Sequence, residues 1–186
     1  DWEKVLISKK VKFFQLRLKE IPKNKIIKIA KKIKKITRKY KVIFLINDSA
    51  NLAKIVKADG CHLGQLDGSV DDARKYYKNK IVGVTCHSSK SLAKAAIKNK
   101  ANYVAFGSFS KSNLNKNAKK ANINILKWAK INIKKPIVAI GGINNLNYKK
   151  LINSGAKYIA ISSYIWDNPK LKPELAIKKF KWKLQL

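Results

Sequence analysis

Short apolar runs alternate with longer stretches whose apolar residues recur every three to four positions, and the alternation is kept along the whole chain. The runs predict strands at Val11–Leu18, Lys41–Ile46, Gly60–Leu63, Ile81–Thr85, Tyr103–Phe106, Pro136–Ile140 and Tyr158–Ser162. The periodic stretches predict helices at Trp2–Ser8, Lys23–Lys39, Ala50–Val56, Val70–Tyr77, Ser88–Lys98, Ile123–Lys130, Tyr148–Asn153 and Pro173–Phe180. Two segments, IKNKANYVAFG and INSGAKYIAIS, share one grammar of helix end, small residue and apolar strand closing on small polar residues. Strands apolar almost throughout are covered on both faces, and strict β/α alternation calls for a parallel sheet with crossover helices.

Two α/β architectures satisfy that pattern, an open doubly wound sheet and a (β/α)8 TIM barrel. A dinucleotide-binding sheet needs GxGxxG directly after its first strand, and this chain has none. The barrel explains why every strand ends in polar residues or glycine, because the loops after barrel strands build one shared rim. The chain opens on a helix, so the expected barrel lacks its first strand here and is incomplete at the N-terminus. With 186 residues and no Pro/Gly/Ser-rich linker, residues 1–186 read as one domain.

Composition changes this picture only at the surface. The formal charge of +33 suggests a polyanion as partner, yet only Arg17, Arg38 and Arg74 are arginine, the residue that reads bases and phosphates through a bidentate fork. Lysines are spread over every predicted helix, so a solvated basic surface is the better reading and a nucleic-acid partner is disfavoured. Cys61 and Cys86 have no metal-ligand or disulfide spacing, which suits a reducing, cytoplasmic setting. No apolar run approaches a bilayer span, so no membrane partner is expected; a homo-oligomer is compatible with the sequence.

Candidate chemistry gathers at the strand ends. Gln15, Arg17 and Lys19 fall at alternate positions of the first predicted strand, which would turn all three to one side, as a bound anion such as pyrophosphate would require. Asn47 and Asp48 close the second strand, and Gln65 and Asp67 follow the third. Asp48 and Asp67 read either as helix N-caps or as ligands of an oxygen-seeking divalent cation, Mg²⁺ being the one that serves phosphates. Thr85 and His87 end the fourth strand, and His62 sits inside the third, where it is expected to orient rim groups rather than react. Gly141-Gly142 and Ser162-Ser163 follow the last two strands as a phosphate cradle or as plain turns.

Taken together, QLRLK (15–19), IND (46–48), HLGQLD (62–67), GVTCHS (83–88) and VAIGGI (138–143) resemble, in order, the motifs of the thiamine phosphate synthase family. The resemblance implies a Mg²⁺-dependent transferase that joins 4-amino-2-methyl-5-pyrimidinylmethyl diphosphate to a thiazole phosphate and releases pyrophosphate. It further implies that Gln15, Arg17, Lys19 and Asn47 hold the pyrimidine substrate, that Asp48 and Asp67 carry Mg²⁺, and that Thr85 stands beside the pyrimidine. Gly142, Ser162 and Ser163 would receive the thiazole phosphate. The family's T-x-T-K segment aligns with Ser112-Asn113-Leu114-Asn115, which lacks the lysine. Ser112 and Asn115 are then the substrate-contact candidates there, and Lys116, with Lys111 nearby, is the candidate to restore the charge. Two other readings stay open: a thiazole tautomerase-like paralogue, which needs no pyrophosphate metal, and a non-catalytic barrel that captures phosphate esters.

Overall fold

Seven strands form one all-parallel sheet in chain order in a computed structural model that describes residues 2–110 and 120–181. They are β1 (Phe13–Leu16), β2 (Ile43–Asn47), β3 (Gly60–Leu63), β4 (Ile81–Thr85), β5 (Tyr103–Phe106), β6 (Ile137–Ile140) and β7 (Tyr158–Ala160). The helices are α1 (Trp2–Leu6), α2 (Lys23–Lys39), α3 (Ala50–Ile55), α4 (Val70–Tyr76), α5 (Lys90–Lys98), α6 (Asn124–Asn132), α7 (Tyr148–Asn153), α8 (Ser163–Trp166) and α9 (Pro173–Lys178). No described helix is long and apolar enough to cross a membrane.

Alternation along each strand divides the molecule into two layers. Residues such as Phe44, Ile46, Cys61, Leu63, Val82, Val84, Val104, Phe106 and Ala139 join one buried cluster with Ala30, Ile33, Ala53, Ala93, Leu126 and Ala129 from the surrounding helices. The residues between them, among them Leu45, His62, Gly83, Tyr103 and Ala105, lie outside that cluster and line the concave side. The sheet curls until Phe13 of β1 meets Tyr158 of β7, with ring centroids 5.0 Å apart in an edge-to-face contact. No backbone pairing joins β1 to β7 among the described residues, so the architecture is a TIM-like barrel wall of seven strands rather than a closed (β/α)8 ring.

The first strand is shorter than its hydrophobic pattern suggests. Pairing between β1 and β2 ends at Leu16 and Ile46, because β2 then turns away: Asp48 takes φ +66° and donates its N–H to the His62 carbonyl of β3 at 2.8 Å. Arg17 and Lys19 therefore lie exposed in the loop after β1, not on one side of a strand as their alternation predicts. The last strand likewise stops at Ala160, and Ile161 and Ser162 lead into α8, a single turn the hydrophobic periodicity does not reveal.

Arg74 is no solvated surface cation. Its guanidinium donates to the carbonyls of Tyr77 (3.0 Å), Lys80 (2.7 Å) and Lys100 (2.7 Å) and to Asn102 Oδ1 (2.6 Å), tying the loop before β4 to the loop before β5. At the same end Asp59 accepts from the Phe44 N–H at 2.8 Å, and its own N–H and carbonyl extend the ladder into β2 and β4.

Gly83 decides the shape of the concave layer. A Cβ there would sit 1.9 Å from Tyr103 Cζ, so the aromatic ring occupies the space that any other residue would fill. Gly83→Ala is expected to destabilise the protein by about 1–3 kcal/mol, the usual cost of overpacking, measured by urea unfolding. A variant as stable as the parent would show that Tyr103 does not rest on β4.

Candidate active site at the carboxyl-terminal rim

Side chains leaving the ends of β1 and β2 form a hydrogen-bonded chain, and the loop after β3 adds a second carboxyl beside it. Gln15 Nε2 donates to Asn47 Oδ1 at 2.6 Å, Asn47 Nδ2 donates to Asp48 Oδ1, and Asp67 shares a cleft with Asp48. Asp67 is held by its own loop, accepting from the Gly64 N–H at 2.7 Å. A Cβ on Gly64 would lie 2.8 Å from that same Asp67 oxygen, so glycine here lets the carboxylate fold back onto the strand end.

Neither aspartate caps the helix that follows it, because a neighbouring serine does. Ser49 Oγ accepts from the Leu52 N–H and caps α3, while Ser69 Oγ accepts from the Asp72 N–H and caps α4. Both aspartates are thereby released from capping. They line, with Asn51, Leu63 and Tyr76, a cleft of about 180 Å³ between the first turns of α3 and α4. A larger, shallower hollow of about 330 Å³ along Trp166 to Pro173 is lined by no acidic side chain and lacks this chemistry.

Burial pushes the Asp48 carboxyl above the usual carboxylate range, and the hydrogen bond and charge of Asp67 push it further. Arg17 and Lys19 pull it back, so the charge of these exposed cations reaches Asp48. Two carboxylates lining one cleft suit a cation held between them. Mg²⁺ fits the donor set, since it takes one or two carboxylates and completes its shell with water and phosphate oxygens. Among the described residues no group of three or more His, Cys, Asp and Glu side chains converges on one point. The protein would therefore supply two ligands, Asp48 and Asp67, and leave the remaining positions open.

A second chain runs through the concave layer beneath the rim. His62 is buried, with Nδ1 2.7 Å from the Tyr103 hydroxyl and Nε2 2.7 Å from Thr85 Oγ1, and its ring stacks on Tyr103. Gln65 Nε2 donates to the Thr85 carbonyl at 2.5 Å and fixes the end of β4 from above. Burial lowers the His62 pKa to about 4, so the ring is neutral at physiological pH. His62 thus orients rim groups, as its place inside a strand suggests, whereas His87 is exposed and makes no side-chain contact with either chain.

On the opposite arc the β6 turn lies beside the start of α8. Gly141 and Gly142 adopt φ +87° and +63°, and a Cβ on Gly141 would lie 2.2 Å from Ser108 Oγ, so the turn passes close against the loop after β5. The Asn147 side chain bridges the Gly142 carbonyl (2.9 Å) and Ser110 Oγ (3.2 Å). Ile140 pairs with Ala160, which brings Gly142 to the same part of the rim as Ser162, whose carbonyl opens α8, and Ser163, its first residue. Ser112, Asn115, Lys116 and Lys111 lie outside the described residues. The roles of Tyr103, Asn147 and Ser108 are missed by sequence reasoning, because each acts through a neighbour on another strand.

The chain is similar to known proteins in both sequence and fold. The family model described as thiamine monophosphate synthase matches residues 1–165. The chain is 55% identical over 182 residues to a thiamine-phosphate synthase of Pelagibacter ubique, covering 97% of this chain and 87% of that protein. It is 40% identical over 156 residues to a thiamine-phosphate synthase of Erythrobacter litoralis, covering 82% of this chain and 73% of that one. Among solved structures, a thiamine phosphate pyrophosphorylase from Pyrococcus furiosus superposes with a TM-score of 0.87 at 27% identity, covering 96% of this chain and 85% of that one.

The neutral, buried state of His62 makes folding sensitive to acid. Its folded pKa lies below the ordinary imidazole value of 6.5, so the unfolded chain binds the proton more readily and stability falls as pH drops from about 6.5 to about 4. The loss attributable to this group is of order 3 kcal/mol over that window. Urea unfolding at several pH values should show a clearly flatter acid slope for His62→Asn than for the parent; equal slopes would mean that His62 is not the group responsible.

Proposed function

Since the chain belongs to the thiamine monophosphate synthase family, we propose that its rim joins a pyrimidinylmethyl pyrophosphate to a thiazole phosphate, with pyrophosphate as the leaving group. The observation that carries this reading is that Asp48 and Asp67 line one cleft at the strand ends, with Arg17 and Lys19 near enough for their charges to act on Asp48. Opposite charges gathered at one part of the rim suit a substrate that brings its own negative charge. The same pair favours the transferase over the tautomerase-like reading, which has no use for a pyrophosphate metal.

In this assignment Gln15 and Asn47 orient the pyrimidine end of the substrate, and their mutual hydrogen bond fixes which amide atoms each presents. Asp48 and Asp67 would hold Mg²⁺, which when bound neutralises charge building on the pyrophosphate. Arg17 and Lys19 act on the same charge, and because it grows as the carbon–oxygen bond breaks, they stabilise the transition state more than the bound substrate. Departure of pyrophosphate leaves a pyrimidinylmethyl cation that the thiazole nitrogen captures, so no protein nucleophile is required. Thr85 stands at the end of β4 beside the pyrimidine. Lys116 stands in for the lysine missing from the family's motif position at Asn115. The backbone around Gly142 and the start of α8 at Ser162 and Ser163 receives the thiazole phosphate, glycine allowing the close approach. Ser112 and Asn115 complete that subsite.

Pyrophosphate release is expected only when both substrates and Mg²⁺ are present, with chelation abolishing it and added Mg²⁺ restoring it. Asp48→Asn should lower turnover by about 100-fold or more while thiazole phosphate still binds, as measured by calorimetry. Undiminished turnover would remove Asp48 from the metal site, and thiazole phosphate binding without any release would favour the tautomerase-like or binding readings. Lys116→Ala should lower kcat by about tenfold or more, and an unchanged rate would assign the charge elsewhere.

A further inference from the structure

The Tyr103–His62–Thr85 chain has a direction. A neutral imidazole carries one proton, so of its two ring nitrogens one donates and the other accepts. In one arrangement Tyr103 donates to Nδ1 and Nε2–H donates to Thr85 Oγ1. In the other, Thr85 donates to Nε2 and Nδ1–H donates to the Tyr103 oxygen. The distances, 2.7 Å at each end, suit both.

The surroundings of Tyr103 separate them. Its hydroxyl end rests on Gly83, a Cβ there falling 2.4 Å from the hydroxyl oxygen, and among the described residues His62 is its one hydrogen-bond partner. Burial holds the phenol in its protonated form. In the second arrangement that phenol proton has no acceptor, which leaves a polar donor unsatisfied inside the concave layer at a cost comparable to a lost hydrogen bond. In the first arrangement every proton is placed: the phenol proton on Nδ1, the imidazole proton on Thr85 Oγ1. The Thr85 hydroxyl has then accepted from His62, and its own proton remains free to be donated to a bound molecule. Gln65 clamps the Thr85 carbonyl, and β-branching restricts χ1, so the position of the hydroxyl oxygen is narrowly set.

We propose that Tyr103 and His62 are positioning residues that fix the Thr85 hydroxyl as a hydrogen-bond donor, so that the bound pyrimidine presents a ring-nitrogen lone pair to it. The substrate half of this statement rests on the synthase reading given above; the direction of the chain does not. A heterocycle offering C–H at that position leaves the Thr85 proton without an acceptor and binds less well.

The chain contains two histidines, so long-range proton–nitrogen NMR of the substrate-free protein at neutral pH reads His62 directly, with His87→Ala assigning the other ring. The expected spectrum has Nε2 protonated and Nδ1 bare, and Tyr103→Phe should convert it to a mixture of both tautomers. Protonated Nδ1 in the parent, or an unmixed Nε2–H form in Tyr103→Phe, overturns the assignment. In turnover, replacing each pyrimidine ring nitrogen by C–H in turn should raise KM about tenfold for one of the two analogues, with a smaller change in kcat. That gap should shrink to about twofold in Thr85→Val and Tyr103→Phe; a gap undiminished in Thr85→Val overturns the role of its hydroxyl. An inactive protein with the expected tautomer would count against the synthase reading alone, whereas an active one with protonated Nδ1 would count against this chain alone.

Discussion

Two carboxylates sharing one cleft constrain the strand ends around them. Asp48 and Asp67 repel when both are charged, and Asp48 already sits in the left-handed region of backbone space, so the rim is held in an unfavourable state by the rest of the fold. The holding is local and visible. Ser49 and Ser69 take over the capping that aspartate would otherwise perform, the His62 carbonyl captures the Asp48 N–H, and the Gly64 N–H captures Asp67. Stability comes from elsewhere, from the apolar layer between sheet and helices, where Phe44, Phe106, Ile33 and Leu126 are fully buried. Separation of the two tasks explains how an electrostatically costly site persists on a small protein.

The concave layer couples these parts. Register places Asn47 beside His62, His62 beside Gly83, and Gly83 beside Tyr103, so one row across four strands links the carboxylate end of the rim to the aromatic support under β5. Each member permits the next: glycine at 83 admits the Tyr103 ring, the ring fixes His62, and His62 addresses Thr85. A change at Gly83, Tyr103 or His62 would therefore reach Thr85 through its neighbours.

Much of this was legible in the residues. Strand positions follow from short apolar runs, and β3, β4 and β5 have the predicted boundaries because all of their residues face apolar neighbours or the narrow concave layer. Strand ends at β1 and β7 were not legible, since hydrophobicity continues through Leu18 and Ile161 while pairing stops where the partner strand turns away. The rim groups Gln15, Asn47, Asp48 and Asp67 could be listed from their motifs, yet whether the aspartates capped helices depended on serines one and two residues later. Contacts between strands were invisible in principle: Tyr103 and Thr85 belong together only once His62 bridges them. Arg74 shows the same limit at the other end of the barrel, where a residue counted among surface cations ties two loops together through backbone carbonyls.

The seam between β1 and β7 carries a consequence for how the molecule behaves in crowded solution. Both edges are short, and side chains bridge them on either face, Phe13 with Tyr158 inside and Phe14 with Trp166 outside. The rings thus hold the two strands together by packing where the described backbone does not pair. A net charge of +33 keeps copies of the chain apart at long range, with a reach that contracts from about 10 Å to about 3 Å as ionic strength rises from 0.1 to 1 M.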